Sequence, residues 1–238
     1  MSSDLHYLLG LISEGEHQQQ DFKYRVEDAV KLARSVSAFA NTDGGRLLIG
    51  VRDDGYLSGV RSEEEIFMMH QAAYRYCKPE PSIKFDTYHV APAPDMPNST
   101  RHTAPSAHHA PAPAHHSIRT IVIATVPRSE HRPVYAIDGD GQRRAYIRIA
   151  DENILASPVH LAIWREEQRL QGTSFTYGDS ERKLMSVMGS EQRQTLNQLV
   201  KRSRLPRPHA IALLARLIRF GLVQMKHENQ QFLFSLVE

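Results

Sequence analysis

Three acids and a lysine near the start of the chain have the types and spacing to handle a metal ion. They are Glu16 in Glu14-Gly15-Glu16, Asp21 and Lys23 in Gln20-Asp21-Phe22-Lys23-Tyr24, and Asp53 in Asp53-Asp54-Gly55. Hard divalent ions take oxygen ligands, and three gathered carboxylates are what such an ion requires. The alternation across residues 20–24 reads as an edge or half-buried strand with Asp21 and Lys23 on one face. If a hairpin over residues 46–60 pairs beside that strand, its turn brings Asp53 toward Asp21 and Glu16. The competing reading leaves Glu16 and Asp21 solvated, Asp53 capping a turn, and Lys23 paired with one of the acids.

A different chemistry sits at the other end. Residues 181–238 hold ten lysines and arginines against four acids, a net of +6 that leaves −4 for the rest of the chain. Such asymmetry argues for an electrostatic partner such as a phosphate backbone, though not for a fold.

The elements that must position the acids are legible from spacing. Val26, Ala29, Val30, Ala33, Val36, Phe39 and Ala40 recur at threes and fours, one apolar face of a helix that closes at Asn41-Thr42-Asp43-Gly44-Gly45. Arg46–Val51 then reads as a short strand and Tyr56–Val60 as a second. Gly44, Gly45 and Gly50 lack both the GxxxxGK[ST] spacing of a phosphate loop and the GxGxxG of a dinucleotide fold, so no nucleotide cofactor is expected.

The order Gly15-Glu16, Asp21-Phe22-Lys23, Ala38-Phe39-Ala40-Asn41-Thr42-Asp43-Gly44-Gly45, Leu48-Ile49-Gly50-Val51-Arg52-Asp53-Asp54-Gly55 resembles the Schlafen/AlbA-like family, many of whose bacterial members carry a DNA-binding label. Pro133-Val134-Tyr135 and Tyr146-Ile147-Arg148 resemble its closing strands. The resemblance implies an α+β fold, a mixed sheet with packed helices, over residues 1–170. It implies a nucleic-acid surface, here assigned to Lys23, Arg25 and Arg148, and a homodimer by analogy with relatives that clasp RNA between two lobes. Some relatives cut RNA with three acids and a divalent metal; carried over, those acids are Glu16, Asp21 and Asp53, with Lys23 steadying charge and Mg²⁺ or Mn²⁺ as the ion. Asp21 departs from the family pattern, which has Glu before Phe-Lys, and is one methylene shorter.

From Glu181 onward the period is compactly helical: Leu184, Val187 and Met188, then Leu196, Leu199 and Val200, then a helix from His209 to Phe220 with Ile211, Leu214, Leu217 and Ile218 inward. Leu222–Lys226 and Gln231–Leu236 read as a hairpin. Three helices and a hairpin over residues 181–238 resemble the winged helix-turn-helix family, with Arg204, Arg207, His209, Arg216 and Lys226 as nucleic-acid contacts. Winged helices also serve as protein-binding modules. DNA or RNA is the expected partner, and binding requires no cofactor. The functional expectation is a DNA-binding transcriptional regulator, with a metal-dependent endoribonuclease as the alternative.

The chain has 238 residues, 41% of them hydrophobic, enough for two small cores. No run has the length and apolarity of a membrane span, and Met1–Ile12 has no basic n-region. The single cysteine, Cys77, has no partner for a disulfide, which fits a reducing, cytoplasmic setting and a packing role. Residues 91–117, rich in Pro, Ala, His, Ser and Thr, read as a disordered insertion between the strand-like segments Ile83–Val90 and Ile118–Val126. Its histidines at 102, 108, 109, 115 and 116 fit either a solvated spacer or a metal-binding tract. The domain boundary is expected between Trp164 and Ser180.

Overall fold

In the computed structural model, which describes residues 3–90, 118–168, 177–188 and 193–237, helix α1 (Ser3–Ser13) and strand β1 (Gln20–Lys23) precede helix α2 (Ala29–Asn41). Asp28 sets the start of α2: its side chain accepts the Val30 and Lys31 amides at 2.9 and 3.1 Å, two donors that a first helical turn leaves open. After Gly44, at φ +72°, the chain enters β2 (Gly45–Ile49); a side chain at Gly44 would stand 2.9 Å from the Arg128 backbone nitrogen. Helix α3 (Ser62–Tyr76), β3 (Cys77–Lys78), β4 (Lys84–Val90) and β5 (Arg119–Val126) follow, then β6 (Tyr135–Ile137), β7 (Arg143–Ile149) and β8 (Glu152–Leu155).

Two four-stranded sheets result. One sheet runs β1-β2-β5-β4, with β1 parallel to β2 and the other pairs antiparallel; the second runs β3-β6-β7-β8. Strand alternation sorts the first sheet's side chains. Leu47, Ile49, Val122 and Ala124 join the core of α2 and α3, while Leu48, Ile121 and Ile123 join Leu8 and Leu11 of α1 on the opposite face. The two strands flanking the insertion pair as β4 and β5; the insertion itself lies outside the described residues. The strand expected over Tyr56–Val60 is reduced to one bridge, Val51 with Leu57. Both edges of β2 are already taken by β1 and β5, so the chain folds back on Gly50 instead, whose carbonyl accepts the Ser58 and Gly59 amides at 2.8 and 3.0 Å.

The second unit holds helices α4 (Pro158–Glu167), α5 (Asp179–Ser186), α6 (Leu196–Ser203) and α7 (Arg207–Arg219). Its strands are β9 (Gln194–Thr195), β10 (Val223–Glu228) and β11 (Gln231–Leu236), in the order β10-β11-β9. Val159, Leu184, Leu199, Leu213, Leu214, Leu217 and Phe234 form its core. By contacts the chain divides after Ile154, with Glu130–Pro133 joining the second unit. The expected boundary lay later, between residues 164 and 180. The difference arises because α4 packs on α7 through Val159 and Ile163, apolar positions too few to reveal their partner from sequence. Among the described residues no helix is long and apolar enough to cross a membrane.

Asn41 joins α2 to the second sheet. Its Nδ2 donates to the carbonyls of Val134 and Tyr146 at 2.8 and 2.9 Å, and its Oδ1 accepts the Val134 amide at 2.7 Å. Asn41→Leu therefore strands buried backbone groups and is expected to cost about 2–4 kcal/mol in urea unfolding. In the second unit, Ser157 and His160 form a reciprocal cap, Ser157 Oγ accepting the His160 amide and His160 Nδ1 accepting the Ser157 amide at 3.2 Å. Burial, then the nearby His227 charge, press the His160 pKa down to about 4. Folding favours the neutral ring, so its contribution is complete above the ordinary histidine value of 6.5 and is lost as pH falls toward 4. His160→Gln keeps the cap and is expected to flatten that part of the stability profile in urea melts between pH 7 and 4.

Candidate nucleic-acid interface and the acidic cluster

Strand β1 carries Asp21 and Lys23, and their setting is an ion-pair cluster. The Asp21 side chain is 6% exposed and the Arg148 side chain 1%; Arg148 Nη2 lies 3.3 Å from Asp21 Oδ1. Lys23 Nζ stands 2.7 Å from Asp21 Oδ2, off the line of a hydrogen bond, so charge rather than a directed bond holds that oxygen. The same Nζ donates to the Phe22 carbonyl at 2.9 Å. Arg148 also donates to Asn153 Oδ1 at 3.1 Å and to the Gln20 carbonyl at 3.3 Å, and its guanidinium carbon lies 5.2 Å from the Phe39 ring centre. Glu16 joins from the preceding loop, its Oε1 accepting the Phe22 amide at 2.8 Å. Burial first, and then the neighbouring Asp21 carboxyl, lift the Glu16 pKa above the ordinary range.

Two of the three expected carboxylates thus come together, Glu16 and Asp21, and the third does not join them. Asp53 lines a separate depression with Tyr24, Arg52 and Asp54. Among the described residues no three His, Cys, Asp or Glu side chains are grouped to hold a metal ion. Asp21, already neutralised by two cations, does not fit as a ligand of Mg²⁺ or Mn²⁺ in this arrangement. Arg148, expected from sequence on the nucleic-acid surface, lies inside instead: a guanidinium sealed from water and facing Asp21 meets no external phosphate.

Lys23 and Arg25 do reach a surface. They line a cleft of about 490 Å³ with Lys31 and Arg34, two cations that sequence reading passed over. The signal was present, since Lys31 and Arg34 are three apart on the side of α2 away from its apolar stripe. Arg25 pairs with Glu27, and Arg34 with the buried Asp138 at 2.6 Å. In the second unit Arg204, Arg207, His209 and Lys226 are exposed. Arg204 closes α6 in the left-handed conformation at φ +56°, and Arg207 donates to Asn197 Oδ1 at 2.5 Å. Arg216 is engaged inward, 3.3 Å from the buried Glu181.

Because Arg148 and Asp21 answer each other in a dry site, removing Asp21 strands the buried guanidinium, and removing Arg148 leaves the buried carboxylate to Lys23 alone. Arg148→Met is expected to cost about 3–5 kcal/mol in urea unfolding. The double variant Asp21→Leu with Arg148→Met is expected to cost far less than the two single changes together.

A family model described as "Schlafen, AlbA_2" matches residues 16–157, the stretch that carries the acidic cluster and the basic cleft. No curated protein matches the chain. Among solved structures, the chain is similar to the DIP2311 protein of Corynebacterium diphtheriae at 15% identity and a TM-score of 0.41, with 98% of this chain covered and 39% of that one. The chain thus spans about two fifths of that protein's length. With more than half of its residues inside the matched stretch, including β1, α2, β2 and both closing strands, the protein belongs to the Schlafen, AlbA_2 family, which is broadly linked to nucleic-acid binding.

Proposed function

We propose that the protein is a DNA-binding transcriptional regulator whose residues 181–238 act as a winged helix-turn-helix on duplex DNA, working as a cytoplasmic homodimer. The observation that carries this reading is the division of α7 into two faces. Ala210, Leu213, Leu214 and Leu217 are buried, while Arg207, His209, Ala212 and Arg219 are exposed. Arg204 sits just ahead of the helix, and the β10-β11 hairpin carries the exposed Lys226. A helix so arranged presents its first turn to base edges and its flanking cations to phosphates. In a dimer, two such helices would meet half-sites about one helical turn apart. RNA cleavage by Glu16, Asp21 and Asp53 is the weaker reading, because Asp21 spends its charge on Lys23 and Arg148.

The test is salt titration of duplex binding by fluorescence anisotropy. Arg204→Ala and Arg207→Ala are each expected to weaken binding several-fold and to lower the slope of log affinity against log salt by about 1. Arg216→Ala is expected to leave that slope unchanged and to lower the melting temperature instead. A wild-type affinity that does not respond to salt would sink the reading.

A further inference from the structure

We infer that the first unit carries a stacking platform for unpaired nucleotides, built on Tyr24 and Tyr56 and the guanidinium groups beside them. This rests on the nucleic-acid reading above and adds the form of strand that this unit takes.

Both rings stand in water, Tyr24 at 55% and Tyr56 at 49% exposure, and neither belongs to a core. Each has arginine against it. Arg25 lies 5.7 Å from the Tyr24 ring centre, and Arg52 and Arg119 lie 5.8 and 5.0 Å from that of Tyr56. Tyr24 and Arg52 line one depression of about 550 Å³, and Arg52 in turn reaches Tyr56. Arg52 thus shares a depression with Tyr24 and stands beside Tyr56, whose ring Arg119 also approaches. Aromatic and guanidinium planes both stack nucleobases, and they do so with little regard to base identity because every base has a π-face.

Charge gives the platform a direction. Asp53 and Asp54 line the tyrosine depression and make it unwelcoming to phosphates. Lys23 and Arg25, the sequence neighbours of Tyr24, line the basic cleft instead, with Lys31 and Arg34. Residues 23–25 are thus a wall shared by two depressions, one suited to bases and one to backbone. Asp28 is held by the amides that start α2, and Lys23, Arg25 and Arg34 each already face a carboxylate, Asp21, Glu27 and Asp138, so Lys31 carries the cleft's main attraction for a phosphate. A single strand laid along this wall places its bases on the tyrosines and its phosphates among the cations. A duplex keeps its base faces inside its own stack and offers the tyrosines nothing to cover.

The test uses the full chain with labelled oligo-dT and a labelled duplex of equal length, with thermal melts confirming that each variant is folded. Tyr24→Ala and Tyr56→Ala are each expected to weaken oligo-dT binding about 5- to 100-fold and to leave duplex binding within twofold of wild type. Tyr56→Trp is expected to retain oligo-dT binding, and Lys31→Glu to weaken it with a shallower salt dependence. Arg207→Ala should do the reverse of the tyrosine variants, weakening duplex binding alone. If the double tyrosine variant binds oligo-dT as tightly as wild type, the platform is refuted; if it also dissociates a dimer, the face is a protein contact. Wild type that binds duplex through Arg207 but ignores oligo-dT defeats only the platform. Wild type that binds neither defeats the nucleic-acid reading beneath it.

Discussion

An arginine side chain sealed from water has to be answered by negative charge, and the first unit is arranged so that Asp21 answers Arg148. The isolated guanidinium would cost several kcal/mol to bury, so the pair can exist only if strand β7 and strand β1 keep their places. The surrounding bonds serve that constraint. The Arg148 amide donates to Thr42 Oγ1 at the end of α2, its side chain donates to Asn153 and to the Gln20 carbonyl, and its plane lies on Phe39. One residue thereby ties the second sheet to the first and to the helix between them. It also anchors the end of β1, from which Lys23, Tyr24 and Arg25 project.

The cations of this protein divide by where their counter-charge lies. Asp138 is the clearest inward case. Burial alone would raise its pKa, but hydrogen bonds from Arg144 at 2.7 Å, Arg34 at 2.6 Å and the Tyr146 hydroxyl at 2.9 Å outweigh it and hold the carboxyl below its ordinary value. Arg216 is likewise spent on Glu181. Arg52, whose counter-charge is the exposed Asp54 at 3.4 Å, and Arg119 stand beside the half-exposed Tyr56, and Arg204 and Lys226 extend into water. A net charge of +2 conveys none of this; which arginines face outward decides what a polyanion meets.

The carboxylates teach a related lesson. Asp21 has the position of a catalytic acid in the family resemblance, yet its shorter side chain sits between two cations and beside a Glu16 whose proton is retained more strongly than usual. Asp53 lines a separate depression with Tyr24 and Arg52. The same strand end presents Tyr24, Lys23 and Arg25 to the surface.

Much of the framework was legible without coordinates, because burying one apolar face leaves a period that the chain itself displays. The helix now seen at 29–41, the strands on either side of the insertion, and the helices and hairpin after residue 179 were all readable that way. The cationic character of α7's exposed side was readable too, since it is local to one helix. What only the tertiary structure decided was every matter of partnership across distance. That Arg148 faces Asp21, that α4 joins α7, that β2 has no free edge for residues 56–60, and that Tyr24 and Arg52 line one depression all depend on how remote segments come to lie together. Periodicity records that a residue is buried or exposed, whereas the identity of its neighbour is set by packing between elements, which leaves no repeating mark in the chain.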